Sequence, residues 1–221
     1  AVASHDLKLP IASIITTADI IKTKYKTKLG KDGQDRLNLI KDCSFTINEY
    51  ITGMLDMYTS EHGIQNSFET INIKAFFDNL LKINLTSQKC QFWLPTETHV
   101  INSNKIALTQ IFTNLFSNAV KYNDKDNCII SVNVTENKSH YKFTVTDNGP
   151  GIEKSNYKEI FKLFKTASET DNRGKKGNGI GLSIVKKLVK KLNGEISVAS
   201  ELGKFTTFTF TVEKPTTLTI N

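Results

Sequence analysis

The chain has 221 residues, which fits one large domain or two small ones. Its hydrophobic share of 38% excludes a disordered chain, and no apolar run is long enough to span a membrane. A net charge of +7 admits a polyanionic partner, but the lysines are scattered over both halves, densest from Lys154 to Lys191, without an aromatic-and-basic recognition motif. No nucleic acid is therefore expected, and a solvated basic face or a polyphosphate ligand accounts for the charge.

Two segments near the start carry a seam with steps of three and four. The first runs through Leu7, Ile11, Ile14, Ala18, Ile21 and Tyr25; the second runs through Leu37, Ile40, Ser44, Ile47, Ile51, Met54 and Tyr58. That period predicts two long helices with one narrow apolar stripe each. The glycines of "LGKDGQD", Leu29 to Asp35, break the pattern and permit a turn. Residues 1–65 thus read as an antiparallel helical hairpin. A lone hairpin has too little core to be stable, so two are expected to pair as a four-helix bundle in a homodimer. His5 lies in the first helix one turn before Pro10, which removes a backbone donor and is expected to loosen or kink the helix there.

From residue 66 onward the texture changes. "FETINI" alternates like a strand, "KAFFDNLLKINLTSQ" reads as helix, and "CQFWL" and "HVINS" read as short strands. "NKIALTQIFTNLFSNAVKY" is a long amphipathic helix with Asn104 as its cap. Ile111, Leu115 and Val120 are its expected core face. "CIISVNVTE" and "YKFTVTDNG" form a strand pair, and a loop-rich region follows from Pro150 to about residue 178. The helix "IGLSIVKKLVKKLN" ends at Gly194, and "EISVAS" and "FTTFTFTVE" close the chain as strands. This order predicts an α+β fold, a sheet covered on one face by helices. Cys43, Cys90 and Cys128 are odd in number, far apart and without metal-ligand spacing, so free thiols in a reducing compartment are expected.

Three stretches carry chemistry. In "NLFSNAVKY", Asn114, Asn118 and Lys121 fall at i, i+4 and i+7 and share one helix face. Two amides and an amine there suit a hydrated cation and phosphate oxygens, and a solvated face fits them equally well. In "DNGPGI", Asp147 ends a strand as an acceptor suited to the amino group of a base, and Gly149 and Gly151 let the backbone turn tightly, although such a stretch is also an ordinary turn. In "GNGIGLS", a glycine-rich helix N-terminus offers N–H groups and the positive end of a dipole to phosphates.

Taken in order, "SHDLKLP", "NLFSNAVKY", "DNGPGI", "IFKLF" and "GNGIGL" resemble the H, N, G1, F and G2 boxes of the sensor histidine kinases of two-component signalling. The resemblance covers nearly the whole chain. It implies a dimerisation and phosphoacceptor hairpin over 1–65, then an α/β sandwich of the histidine kinase/Bergerat type over 66–221 that binds ATP and Mg²⁺. It also implies that His5 accepts the γ-phosphoryl group with Asp6 beside it, and that the group passes to the receiver domain of a response regulator. Asn118 is implied as the Mg²⁺ ligand, with Asn114 next to it. The remaining nucleotide contacts are implied at Lys121, Tyr122, Asp147, Gly149, Gly151, Ile152, Phe161, Phe164, Gly177, Asn178, Gly179, Ile180, Gly181 and Leu182.

Three departures matter. Leu9 stands where kinases that also dephosphorylate their partner carry Thr or Asn, which implies weak phosphatase activity. Phe205 replaces a glycine in "ELGKFTTF", and Lys165 and Thr166 stand where the family often has an arginine. Two readings compete with the kinase: a dimeric nucleotide-binding scaffold, and a Bergerat-type ATPase without histidine phosphorylation. The segment itself is expected to be cytoplasmic, with any membrane anchor supplied by segments upstream.

Overall fold

The computed structural model describes residues 2–26, 28–41, 43–44, 47, 68–84, 90–96, 99–163, 165–166 and 179–215, with backbone alone for 2–8. The chain divides into two compact units, Ala1–Thr59 and Ser60–Asn221.

In the first unit, α1 spans Val2–Lys24 and continues through Pro10. Residues 30–41 are helical (α2). Lys22 donates to the Asn38 carboxamide at 2.7 Å, and Lys41 forms an ion pair with Asp19. Ile11, Ala18 and Leu37 of the expected seams are buried, whereas Ile14, Ile40 and Ile47 stay exposed. The second half of the second seam, with Ile51, Met54 and Tyr58, lies outside the described residues.

In the second unit, β1 (Glu69–Asn72) pairs antiparallel with β3 (Val100–Ser103). Between them run α3 (Ile73–Asn84) and β2 (Cys90–Trp93). Then come α4 (Lys105–Tyr122), β4 (Cys128–Glu136) and β5 (His140–Asp147). Two single 3-10 turns, Lys154–Asn156 and Glu159–Phe161, precede α5 (Gly181–Lys191), β6 (Ile196–Glu201) and β7 (Phe205–Glu213). Among the described residues the main sheet has the order β2-β4-β5-β7-β6, parallel only at β2–β4.

Strict alternation explains the layering. Ile130, Val132 and Val134 of β4, Tyr141, Phe143 and Val145 of β5, and Phe208, Phe210 and Val212 of β7 are all buried. The intervening positions are largely Thr, Ser, Asn and Lys and form the more open face. Phe112 of α4 packs edge-on against Phe77, Phe143 and Phe210, with ring centroids 4.8 to 5.5 Å apart, and joins the helices to the sheet.

Three expectations are corrected. Cys90 and Cys128 are not free thiols but form a disulfide, and only Cys43 is a free cysteine. They lie 38 residues apart in sequence, yet parallel pairing sets them directly opposite each other, with Cα atoms 4.4 Å apart. Gly194 is not the left-handed residue ending α5; Asn193 takes that conformation, with φ 51°. Gly194 is needed for closeness instead, because a Cβ there would lie 1.8 Å from the Thr211 carbonyl oxygen. Val120 is only half-buried, and Ala119 with Phe116 and Phe112 completes the core face of α4.

Candidate nucleotide site

The last turn of α4, the end of β5, the loop that follows and the start of α5 enclose a cavity. Asn118, Lys121 and Tyr122 enter from α4, Asp147 from β5, Gly151 and Ile152 from the loop, and Gly179, Gly181 and Leu182 from around the α5 N-terminus. Each of these nine was expected at the site. The helix that supplies the first three starts where the sequence places it, with the Asn104 carboxamide accepting from the Ala107 N–H at 2.8 Å.

Asp147 is nearly buried. Burial pushes its carboxyl up to about 6, while the N–H of Gly149, donating to Oδ1 at 2.9 Å, pulls the other way. Gly149 does not line the cavity; a Cβ there would stand 2.7 Å from the same Oδ1, so its smallness keeps the carboxylate in place. Gly151 has φ 78°, and a Cβ would come within 2.4 Å of the Glu201 carbonyl oxygen.

Asn148, which the sequence marks only as a turn residue, anchors the site. Its Oδ1 accepts from the Ile129 N–H at 2.9 Å and from Asn123 Nδ2 at 3.0 Å, and its Nδ2 donates to the Asn127 carbonyl at 2.8 Å. The residue after Asp147 is thereby fastened to the start of β4.

Other expected residues stand elsewhere. Asn114 does not line the cavity: its side chain lies against α5, where a Cβ on Gly181 would be 2.8 Å from Oδ1, and its Nδ2 donates to the Gln110 carbonyl. Ile180 is buried beneath the site rather than lining it. Phe161 packs on Phe208, with centroids 6.3 Å apart, and lies under the Lys186 ammonium. Phe164, Gly177 and Asn178 lie outside the described residues. His5 and Asp6 fall within α1, in the other unit. Lining residues that the sequence reading did not assign include Ala119, Pro150, Ile160, Thr206 and Phe208, and Lys165 and Thr166 also face the cavity. Thr206 had a signal, the alternation of "FTTFTFTVE", but not its register against β5.

The lining of this cavity combines two chemistries. A carboxylate among apolar side chains suits the amino edge of a planar base. Asn118, Lys121 and the N-terminus of α5 suit phosphates and a hydrated cation. Among the described residues no group of three or more His, Cys, Asp or Glu could hold a metal unaided. A cation here would therefore rest on the Asn118 carboxamide, phosphate oxygens and water, a donor set that fits Mg²⁺.

Comparison with known proteins agrees with this geometry. Residues 103–216 match the model of the "Histidine kinase-, DNA gyrase B-, and HSP90-like ATPase" family. Hybrid signal transduction histidine kinase B of Dictyostelium discoideum is 30% identical over 219 residues, covering 95% of this chain and 11% of that protein. Hybrid signal transduction histidine kinase L of the same organism is 32% identical over 219 residues, covering 93% of this chain and 12% of that protein. The chain thus spans about a tenth of the length of these two relatives. Full-length ShkA, in a crystal structure with AMPPNP, has the same fold with a TM-score of 0.67 at 21% identity, covering 97% of this chain and 45% of that one. No helix among the described residues is long and apolar enough to cross a membrane. Over the residues that build the cavity, the chain belongs to the histidine kinase-, DNA gyrase B- and HSP90-like ATPase family.

Proposed function

We propose that this chain is the core of an ATP-dependent protein histidine kinase, with His5 as phosphoacceptor and a response-regulator receiver domain as the next acceptor. The observation that carries this is the single cavity joining Asp147 to Asn118, Lys121 and the start of α5. The AMPPNP in the ShkA structure and the histidine kinase names of the relatives support it.

Residues 1–65 act as the dimerisation and phosphoacceptor domain, an antiparallel helical hairpin completed as a four-helix bundle by a second copy. Exposed Leu9, Ile14, Ile20, Leu39, Ile40 and Ile47 support this, because one copy leaves them uncovered. Residues 66–221 bind ATP. Asp147 accepts from the adenine amino group, Lys121 and the α5 N-terminus hold phosphates, and Asn118 holds Mg²⁺, whose charge offsets that of the phosphates when it is bound. A neutral His5 imidazole nitrogen attacks the γ-phosphorus. The new N–P bond forms as the bond to the ADP oxygen breaks, the electron pair leaves with ADP, and Asp6 takes the proton from the other ring nitrogen. The need for ATP supports a cytoplasmic position for this segment, where the Cys90–Cys128 pair would be exposed to reduction.

The test is incubation with γ-labelled ATP and Mg²⁺, comparing the chain with His5→Ala. Acid-labile, alkali-stable label that disappears in the variant is the expected result. ATP binding without label would favour a nucleotide-binding scaffold, and free phosphate released equally by both proteins would favour an ATPase. In the same preparation with ADP, a phosphorylated receiver is expected to keep its phosphate, because Leu9 cannot hydrogen-bond a hydrolytic water. Its rapid loss would overturn that part of the reading.

A further inference from the structure

Ser200 lies near the end of β6, and its hydroxyl sits at the centre of a hydrogen-bond cluster behind the cavity. Its Oγ accepts from the Ile152 N–H at 2.8 Å, lies 2.6 Å from the Phe205 carbonyl oxygen, and lies 3.2 Å from Thr206 Oγ1. Tyr157 grips the backbone of the same residue. The phenol oxygen accepts from the Ser200 N–H at 2.7 Å and donates to the Ser200 carbonyl at 2.9 Å. Among the described residues β6 is an edge strand of the sheet, and Tyr157 occupies that edge.

Counting protons fixes the direction of each bond. A hydroxyl has one proton to donate and two lone pairs to accept with. The Phe205 carbonyl can only accept, so the single proton of Ser200 goes there. The lone pairs of Ser200 then serve Ile152 and Thr206, and in the second contact Thr206 must be the donor. The one proton of Thr206 is thereby used on Ser200 and is not offered to the cavity that Thr206 lines. Thr206 is the cross-strand partner of Asp147, so the two side chains stand side by side on one face of the sheet. An ionised carboxylate is also acceptor-only. At this wall the two side chains present lone pairs and no proton.

We propose that Ser200, held by Tyr157, is a specificity-determining positioning residue: it fixes Thr206 as an acceptor, so that the cavity takes a purine with an exocyclic amino group and rejects one with a keto group in its place. This rests on the nucleotide-binding reading above and adds how the base is chosen. Without the Ser200 hydroxyl, the Thr206 proton is free to turn towards the cavity and donate to a keto oxygen, which relieves the clash of lone pairs.

The experiment is displacement of a fluorescent ATP analogue by ATP and by inosine triphosphate, with the full chain and with Ser200→Ala, Ser200→Thr and Tyr157→Phe. The wild type is expected to prefer ATP by about tenfold or more. Ser200→Ala is expected to lower that ratio about five- to tenfold, mostly because the inosine nucleotide binds better. Tyr157→Phe should shift it in the same direction by less, and Ser200→Thr, which keeps the hydroxyl, should restore it. Equal weakening of both nucleotides in Ser200→Ala, with the ratio unchanged, would mean only a structural role and would overturn the proposal. Should Ser200→Ala fail to fold by circular dichroism, an unchanged ratio in folded Tyr157→Phe overturns it equally. A wild-type chain that displaces no analogue with either nucleotide refutes the nucleotide reading itself, a result distinct from an unchanged ratio.

Discussion

Asp147 shows how a single carboxyl couples the cavity to pH. Its folded value of about 6 stands above the ordinary 3.8, so between those values the folded chain holds a proton that the unfolded chain has released. The stability this group contributes is therefore full below the unfolded value and is lost as pH rises through about 6. At neutral pH, ionising the buried group costs the ligand-free fold on the order of 3 kcal/mol. Asp147→Asn is expected to raise the thermal midpoint of the ligand-free chain at neutral pH and to flatten its pH profile between about 4 and about 6. The same variant should bind ATP about ten- to a hundredfold more weakly, as seen by titration calorimetry, because the base amino group loses an ionised acceptor. Wild-type affinity should fall as the pH drops below about 6. That Asp147, Asn118 and Lys121 meet at one cavity was legible because each stands in a short local stretch with its own pattern. Thr206 was not, because its meaning comes from standing opposite Asp147, and register is a property of two strands. Asn114 misled for a related reason: it shares a helix face with Asn118, but α5 packs over that turn.

The elements themselves were largely readable. Period-two alternation located β4, β5 and β7, and the amphipathic pattern with its Asn104 cap located α4. The junctions were not, because a glycine in sequence does not reveal whether conformation or space demands it. At Gly194 space decides, at Gly203 conformation does, with φ 76° and nothing within 4 Å of a Cβ, and at Gly151 both apply. Gly203→Ala is expected to cost about 1 to 2 kcal/mol, the ordinary cost of a left-handed alanine. Gly194→Ala and Gly151→Ala should each cost more than that, about 3 kcal/mol or above, because a backbone carbonyl must move. Urea unfolding of the three variants separates the cases. A Gly194→Ala variant no less stable than Gly203→Ala would contradict this account of the α5–β6 junction.

At the scale of the whole molecule, the Cys90–Cys128 bridge is the feature that sequence reasoning had wrong. Spacing in the chain excluded a metal motif, but it could not show that parallel pairing would bring two distant thiols together. Closing a loop of this length lowers the entropy of the unfolded chain and is worth about 4 kcal/mol. Cys90→Ser is expected to lose most of that, read as a lower thermal midpoint by calorimetry. Reduction of the wild type should do the same, and a midpoint indifferent to reductant would show that the bridge does not support the fold.

The bridge also fastens β2, one of the two edge strands of the main sheet among the described residues, and that strand carries the only tryptophan of the chain, Trp93, which is 61% exposed three residues beyond Cys90. The protein thus has a built-in lamp set at one margin of its sheet, apart from the residues that line the cavity. Its emission should be that of an indole in water. Nucleotide titration should leave the light nearly constant, whereas opening the bridge should shift it as the margin loosens. One spectrum can then follow the edge of the sheet while ligand binding is followed by other means.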